Sequence, residues 1–250
     1  MTATGTITFV PSVHFSPTHR QRVRETIREV EPDVVAVELD DRRFDRLDRD
    51  WQAPPLERTD EFPPPTAAAY ATLRAIQRTI VRLYGLDPTK TDMETAIETA
   101  TELDTEVALI DDPIVDTLNA LSRRVGFDTL PKLLVRTQRM GPDDYARQLE
   151  VMTTPFPEID HGDDVQPMID HVRQLLPEVA EVMIDRRDRS MAARLYQLRS
   201  DGADIVAVVG AGHHNGIRRV LANLEADGLD RELTVPIRTP SREVTRIPID

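Results

Sequence analysis

Four short apolar runs constrain the fold more than any other feature: TITFV (6–10), VVAVEL (34–39), VALI (107–110) and DIVAVVG (204–210). All are rich in β-branched residues, and all are continuously apolar where a half-exposed strand would alternate. Such runs suit strands buried on both faces, the situation of a parallel sheet covered by helices. The segments between them carry helical signals. In SPTHRQRVRETIREV (16–30), Ser16 is placed to cap, Pro17 fits the first helical position, and Val23, Ile27 and Val30 recur at helical spacing. Pro32 closes that helix and the second run follows, giving a βαβ unit with short connections.

The expected fold is therefore α/β, a mainly parallel central sheet flanked by helices with a helical insertion. A proline-rich connection, WQAPPLERTDEFPPP (51–65), precedes TAAAYATLRAIQRTIVRLYG (66–85), where Leu73, Ile76, Ile80 and Leu83 repeat at helical spacing. Further helices are expected over 92–103, from Pro113 to Leu121, and in DRSMAARLYQLRS and GIRRVLANLEADG; LTVPIR (233–238) reads as a last strand. The 250 residues fit a single domain, with mostly helical insertions at approximately 60–103 and 120–180. Long helices such as 66–84 could pair subunits, and a symmetric homodimer is the commonest such arrangement.

Composition narrows the function. The chain has no cysteine, so thiol nucleophiles, disulfides and thiolate metal sites are excluded, and any metal must sit on nitrogen and oxygen. The net charge is −13, from 44 acidic and 31 basic residues, and the basic side is almost all arginine. That balance suits a solvated surface in a halophilic cytoplasm and gives nucleic acid little to bind. No run approaches the ~20 apolar residues of a membrane span, and the start carries no signal-peptide pattern. A cytoplasmic protein is expected.

Chemistry-bearing residues fall where the strands end. His14 follows the first run, Glu38 lies inside the end of the second, Asp111 follows the third, and His213 lies three residues past Gly210. Open parallel sheets bind ligands beyond the carboxyl ends of their strands, so two histidines and two carboxylates are expected in one cleft. A carboxylate at the end of a buried strand is costly unless paired, and Arg43 is the expected partner of Glu38. Asp111 has the competing reading of a cap or turn. VVGAGHHNGI (208–217) lacks the glycine spacing of a dinucleotide-binding turn and the lysine of a Walker loop. It reads as a corner that lifts His213 inward, one helical turn from apolar Ile217, with His214 pointing away.

Several stretches together resemble the TraB/PrgY (pheromone shutdown) family and, more distantly, the GumN and TIKI proteins: PSVHFS, PDVVAVELDDRRFDRL (32–47), VALIDDPIVDTL (107–118), IDRRDRSMA (184–192) and VVGAGHHNGI. The resemblance to TIKI metallopeptidases implies a divalent metal (Mn, Co or Zn) on His14 and His213, with Glu38 as ligand or base and Asp111 completing the shell. It also implies that Arg43 and Arg187 position anionic groups of a peptide or small-molecule partner. The reaction implied is hydrolysis of a peptide or related amide; the alternative is a non-catalytic protein that binds a peptide, metabolite or metal in the same cleft. Three positions depart from the family pattern: Pro11 stands for a glycine, Asp112 for an arginine, and Arg186 for an acid. The last two suggest a swapped ion pair.

Overall fold

The structure is a computed structural model that describes residues 4–47, 90–124, 132, 135, 136, 141 and 159–239. The helix expected over 66–84 lies outside the described residues. Within them the chain runs β1 (Ile7–Ser12), α1 (Pro17–Val30), β2 (Val34–Val37), α2 (Asp41–Leu47), α3 (Asp92–Leu103), β3 (Glu106–Leu109) and α4 (Ile114–Arg124). After α5 (Gly162–Leu175), a short α6 (Pro177–Ala180) continues through a π-helical turn, Glu181–Asp185, into α7 (Arg186–Ser200). β4 (Ile205–Gly210), α8 (Ala211–Asp227) and β5 (Ile237–Arg238) complete it. The sheet order is β1-β4-β2-β3-β5, parallel from β1 to β3 and antiparallel at β5. The last strand is thus shorter than LTVPIR, two residues pairing with Val107 and Ala108.

The apolar runs are continuous because side chains alternate between two covered faces. Val35, Val37, Val107, Leu109, Val206 and Val208 meet Val23 and Ile27 of α1 and Met93, Ala96 and Ala100 of α3. Val34, Ala36, Ala108, Ile205, Ala207 and Val209 meet Met191, Ala192 and Leu195 of α7 and Ile217 and Leu221 of α8. The helix over 92–103, taken from sequence as part of an insertion, is therefore a layer of the core. It starts with a capping box, Thr91 accepting from the Glu94 amide while Glu94 accepts from the Thr91 amide. Ser16 occupies the N-cap of α1, but its side chain makes no capping hydrogen bond; Pro17 sits at the helix start as expected.

This layering opens the site. The helix after β1 lies on the α1/α3 face and the helix after β4 on the opposite one. Neighbouring strands whose connections leave toward opposite faces part at their carboxyl ends, leaving a crevice. β4 lies between β1 and β2, so that crevice lies above Gly210.

Candidate functional site

Glu38, His14 and His213 converge over Gly210. The Gly210 amide donates to Glu38 Oε2 at 2.7 Å, at the start of the 17-residue helix α8, where the helix dipole favours a carboxylate. A Cβ on Gly210 would lie 3.1 Å from that oxygen and 3.7 Å from both His14 Nε2 and His213 Cδ2. The position is glycine because the backbone must come this close to the cluster.

Arg187 of α7 stands at the centre. Its Nη2 donates to Asp111 Oδ2 at 2.6 Å and to Glu38 Oε1, its Nε to Asp111 Oδ1 at 3.0 Å, and its Nη1 to Met183 O at 3.2 Å. Nη1 also lies 3.0 Å from His213 Nε2. Burial alone pushes the Glu38 carboxyl up; Arg187, His14 and the Gly210 amide reverse this and hold it far below the usual carboxylate range. A guanidinium only donates, so Nε2 of His213 accepts from it and that ring carries its proton on Nδ1. Arg187 and His14 are then the cations that keep Glu38 ionised. Asp111 is likewise raised by burial and lowered more strongly by Arg187 and Arg43.

Arg43 does not pair with Glu38. It bridges Asp111, through Nη2, and Asp40, through Nε at 3.1 Å, while Asp40 also accepts from the amides of Arg43 at 2.8 Å and Ile114 at 2.7 Å. The short β2 strand ends before Glu38, and the Arg43 side chain returns over the Asp40 turn to the β3 end, leaving Glu38 to an arginine 149 residues away. Asp111 takes the Asp112 amide at 2.8 Å, a local turn contact as sequence reasoning allowed, in addition to its two arginines.

Each histidine is backed by a carboxylate. His14 Nδ1 lies 2.9 Å from Asp92 Oδ1, and Asp92, at the first turn of α3, also accepts from the Ser12 hydroxyl and from the Met93 amide at 3.0 Å. The charge of Asp92, opposed by burial, raises His14 to about 9. His213 Nδ1 lies 2.6 Å from Asp188 Oδ1. Burial pushes the Asp188 carboxyl up, and its second oxygen is buried without a partner among the described residues. That oxygen presses on Gly216, where a Cβ would lie at 1.7 Å.

The loop carrying His14 is fixed by a further histidine. Ser16 N bonds Val13 O at 3.1 Å, and Phe15 has φ 70°, as the third residue of a type II turn requires. The Val13 amide donates to Nδ1 of fully buried His19 at 2.9 Å, and His19 Nε2 donates to Ile159 O at 3.0 Å. His14, at the turn corner, keeps 40% of its side chain exposed. His214 turns away from Glu38 as its helical position predicts, yet it is buried, accepting the Gly162 amide at 3.2 Å and meeting the Phe9 ring edge-on at 5.4 Å.

The structure thus brings His14, Glu38, Arg43, Asp111, Arg187 and His213 into one connected cluster, and Asp112 pairs with Arg186 at 3.4 Å. Asp92, Asp188, Ser12 and Asp40 are additional members. Asp92 reads in sequence as a first-turn helix acid and gives no further signal; Asp188 was visible only as the residue after Arg187. Among the described residues no group of three His, Asp or Glu side chains is arranged to hold a metal ion. The reason is physical: the guanidinium of Arg187 occupies the space between Glu38, Asp111 and His213, where lone pairs would have to meet a cation. In this arrangement the residues do not fit a metal. No helix among the described residues is long and apolar enough to cross a membrane.

These features define an α/β protein with a densely ion-paired polar site at the carboxyl end of a mainly parallel sheet. The chain belongs to the TraB/PrgY/gumN family, whose model matches residues 2–232. It is 30% identical over 241 residues to an uncharacterized protein of Methanocaldococcus jannaschii. That alignment covers 95% of this chain and 58% of the relative, so the chain spans little more than half of that protein's length.

Proposed function

We propose that this chain is a non-catalytic binding and regulatory protein that sequesters a peptide or small metabolite in the crevice above Gly210. The observation that carries this reading is the placement of Arg187. A fixed cation already satisfies Glu38 and Asp111 and donates to His213, so neither carboxylate is left as a base and the imidazole nitrogen is spent. His14 is the group turned to the opening, an imidazolium held by Asp92 and suited to a carboxylate or other acceptor on the ligand. A cytoplasmic, halophilic archaeal setting belongs to the same proposal and rests on the arginine-rich acidic composition.

Metal-dependent hydrolysis is the second reading. It is favoured by the carboxylate behind each histidine, a backing typical of metal-binding imidazoles, and it requires Arg187 to leave. Calorimetry at high salt separates the two, using a peptide library, a metabolite library and Mn, Co and Zn salts. The binding reading expects an organic ligand whose affinity falls with His14→Ala and is indifferent to chelators. Stoichiometric metal, with peptide hydrolysis lost in Glu38→Gln while folding persists, would overturn it.

A further inference from the structure

A second feature lies at the sheet edge, outside the Glu38 cluster. A cavity of about 370 Å³ has Phe9, Val10 and Pro11 of β1, Arg22 of α1, Asp160 and His214 in its lining, a volume in the range of ligand sites. Three consecutive strand residues face it, although their side chains must alternate between the two faces of the sheet. It is therefore the backbone edge of β1 that forms this wall. Among the described residues β1 pairs only with β4. The Thr6 carbonyl accepts from Ile205 of β4, and strand residues alternate in the direction of their polar groups, so those of Phe9 point away from β4 and toward the cavity. Pro11 has no N–H to offer there.

His214 adds an independent observation. It is 7% exposed, and its Nδ1 accepts the Gly162 amide, which places the ring proton on Nε2. Burial lowers its affinity for a second proton, so the ring is a neutral donor. Nε2 has no partner among the described residues. A neutral N–H beside a strand edge without a further partner strand among the described residues suits a neutral carbonyl oxygen better than an anion, and Arg22, the cation of this wall, is already paired with Asp160.

We propose that this groove takes an extended peptide segment, which pairs with the Phe9 edge of β1 and accepts a hydrogen bond from His214 Nε2–H. Strand addition of this kind draws its affinity from main-chain hydrogen bonds. The site is separate from the proposed crevice but leads to it, since β1 ends at Ser12 and the turn that follows carries His14.

The test is a titration of the full-length protein with a blocked tetrapeptide of alternating valine and threonine, followed by ¹H–¹⁵N correlation spectra. The expected result is saturable shifts of the Phe9 amide and His214 Nε2–H. Affinity should fall about fivefold or more when the peptide is N-methylated at alternate amides, and similarly in His214→Phe, as loss of about one neutral hydrogen bond implies. The N-methylated control uses the unaltered protein and does not depend on the variant folding. Absence of saturable shifts up to about 10 mM peptide, or equal binding of the methylated peptide, would overturn the proposal. Shifts that follow protein concentration alone would overturn it in favour of a second copy at the same edge. Shifts confined to His14 and Gly210 would overturn the groove and leave the crevice reading standing.

Discussion

Replacing Arg187 with methionine probes the site directly, because the side chain is kept in volume and loses only its charge and donors. At pH 7 the variant leaves Glu38 without its ion-pair partner and Asp111 with Arg43 alone. Glu38 is 5% exposed and Asp111 4%, so solvent screens them little. Breaking a buried charge network from one side costs about 3–5 kcal/mol; with Arg43 and His14 still in place, about 3 kcal/mol is expected. The pH dependence is the sharper part. Both carboxyls are held low in the folded protein, so their contribution is present above their unfolded values, near 4, and is lost as pH falls through the folded values. Without Arg187 burial dominates and raises both carboxyls, so acid penalises the variant less. The gap between the two proteins should therefore be widest near pH 7 and narrow by about 1 kcal/mol or more by pH 3.5. Urea unfolding followed by circular dichroism, at one fixed salt concentration, measures it. A gap below about 1 kcal/mol at pH 7, or one that stays constant to pH 3.5, would refute the claim that Arg187 is the cation compensating this cluster.

Two other outcomes follow from the histidine contacts. His14 is raised to about 9 by Asp92, so its contribution to stability is complete below about pH 6.5 and is lost as pH rises through about 9. In Asp92→Asn, NMR titration of the ring should show the value fall toward 6.5 and the alkaline loss disappear; an unmoved titration would show that Asp92 is not the cause. In Gly216→Ala the new methyl group meets Asp188 Oδ2 and must displace it from His213, costing about 2–4 kcal/mol through overpacking and a lost buried hydrogen bond. Calorimetric melting and the His213 Nδ1–H resonance report this together, and an unchanged resonance would sink the packing argument.

The sheet was legible because its strands are buried on both faces: the four apolar runs correspond to β1 to β4. Strand order was not, because nothing local in β4 states that it inserts between β1 and β2. Chemistry at strand ends was also legible, since a buried Glu38 demands a partner. That partner is Arg187 and not the nearby Arg43 that sequence offers first, because Arg43 turns back to Asp40 and Asp111 while a helix distant in sequence carries Arg187 to Glu38. Asp92 was hidden because an acid in the first turn of the helix expected over 92–103 has an ordinary explanation. The pairing of Asp112 with Arg186 was readable, because an acid and a base exchanged across two motifs retain their attraction.

The contacts of Arg187 lie almost entirely within about one hydrogen-bond length of their partners, inside protein rather than solvent. Mobile ions at 1 M shorten the reach of exposed charges to about 3 Å, but they cannot enter the space between Arg187, Glu38 and Asp111. The molecule therefore carries two electrostatic regimes. Its acidic exterior, with a net −13 for the chain, responds to the ionic strength of its surroundings, while the field among Arg187, Glu38 and Asp111 is set by the protein alone. Changes in ionic strength should alter how quickly a charged ligand arrives and leave the geometry that receives it unchanged.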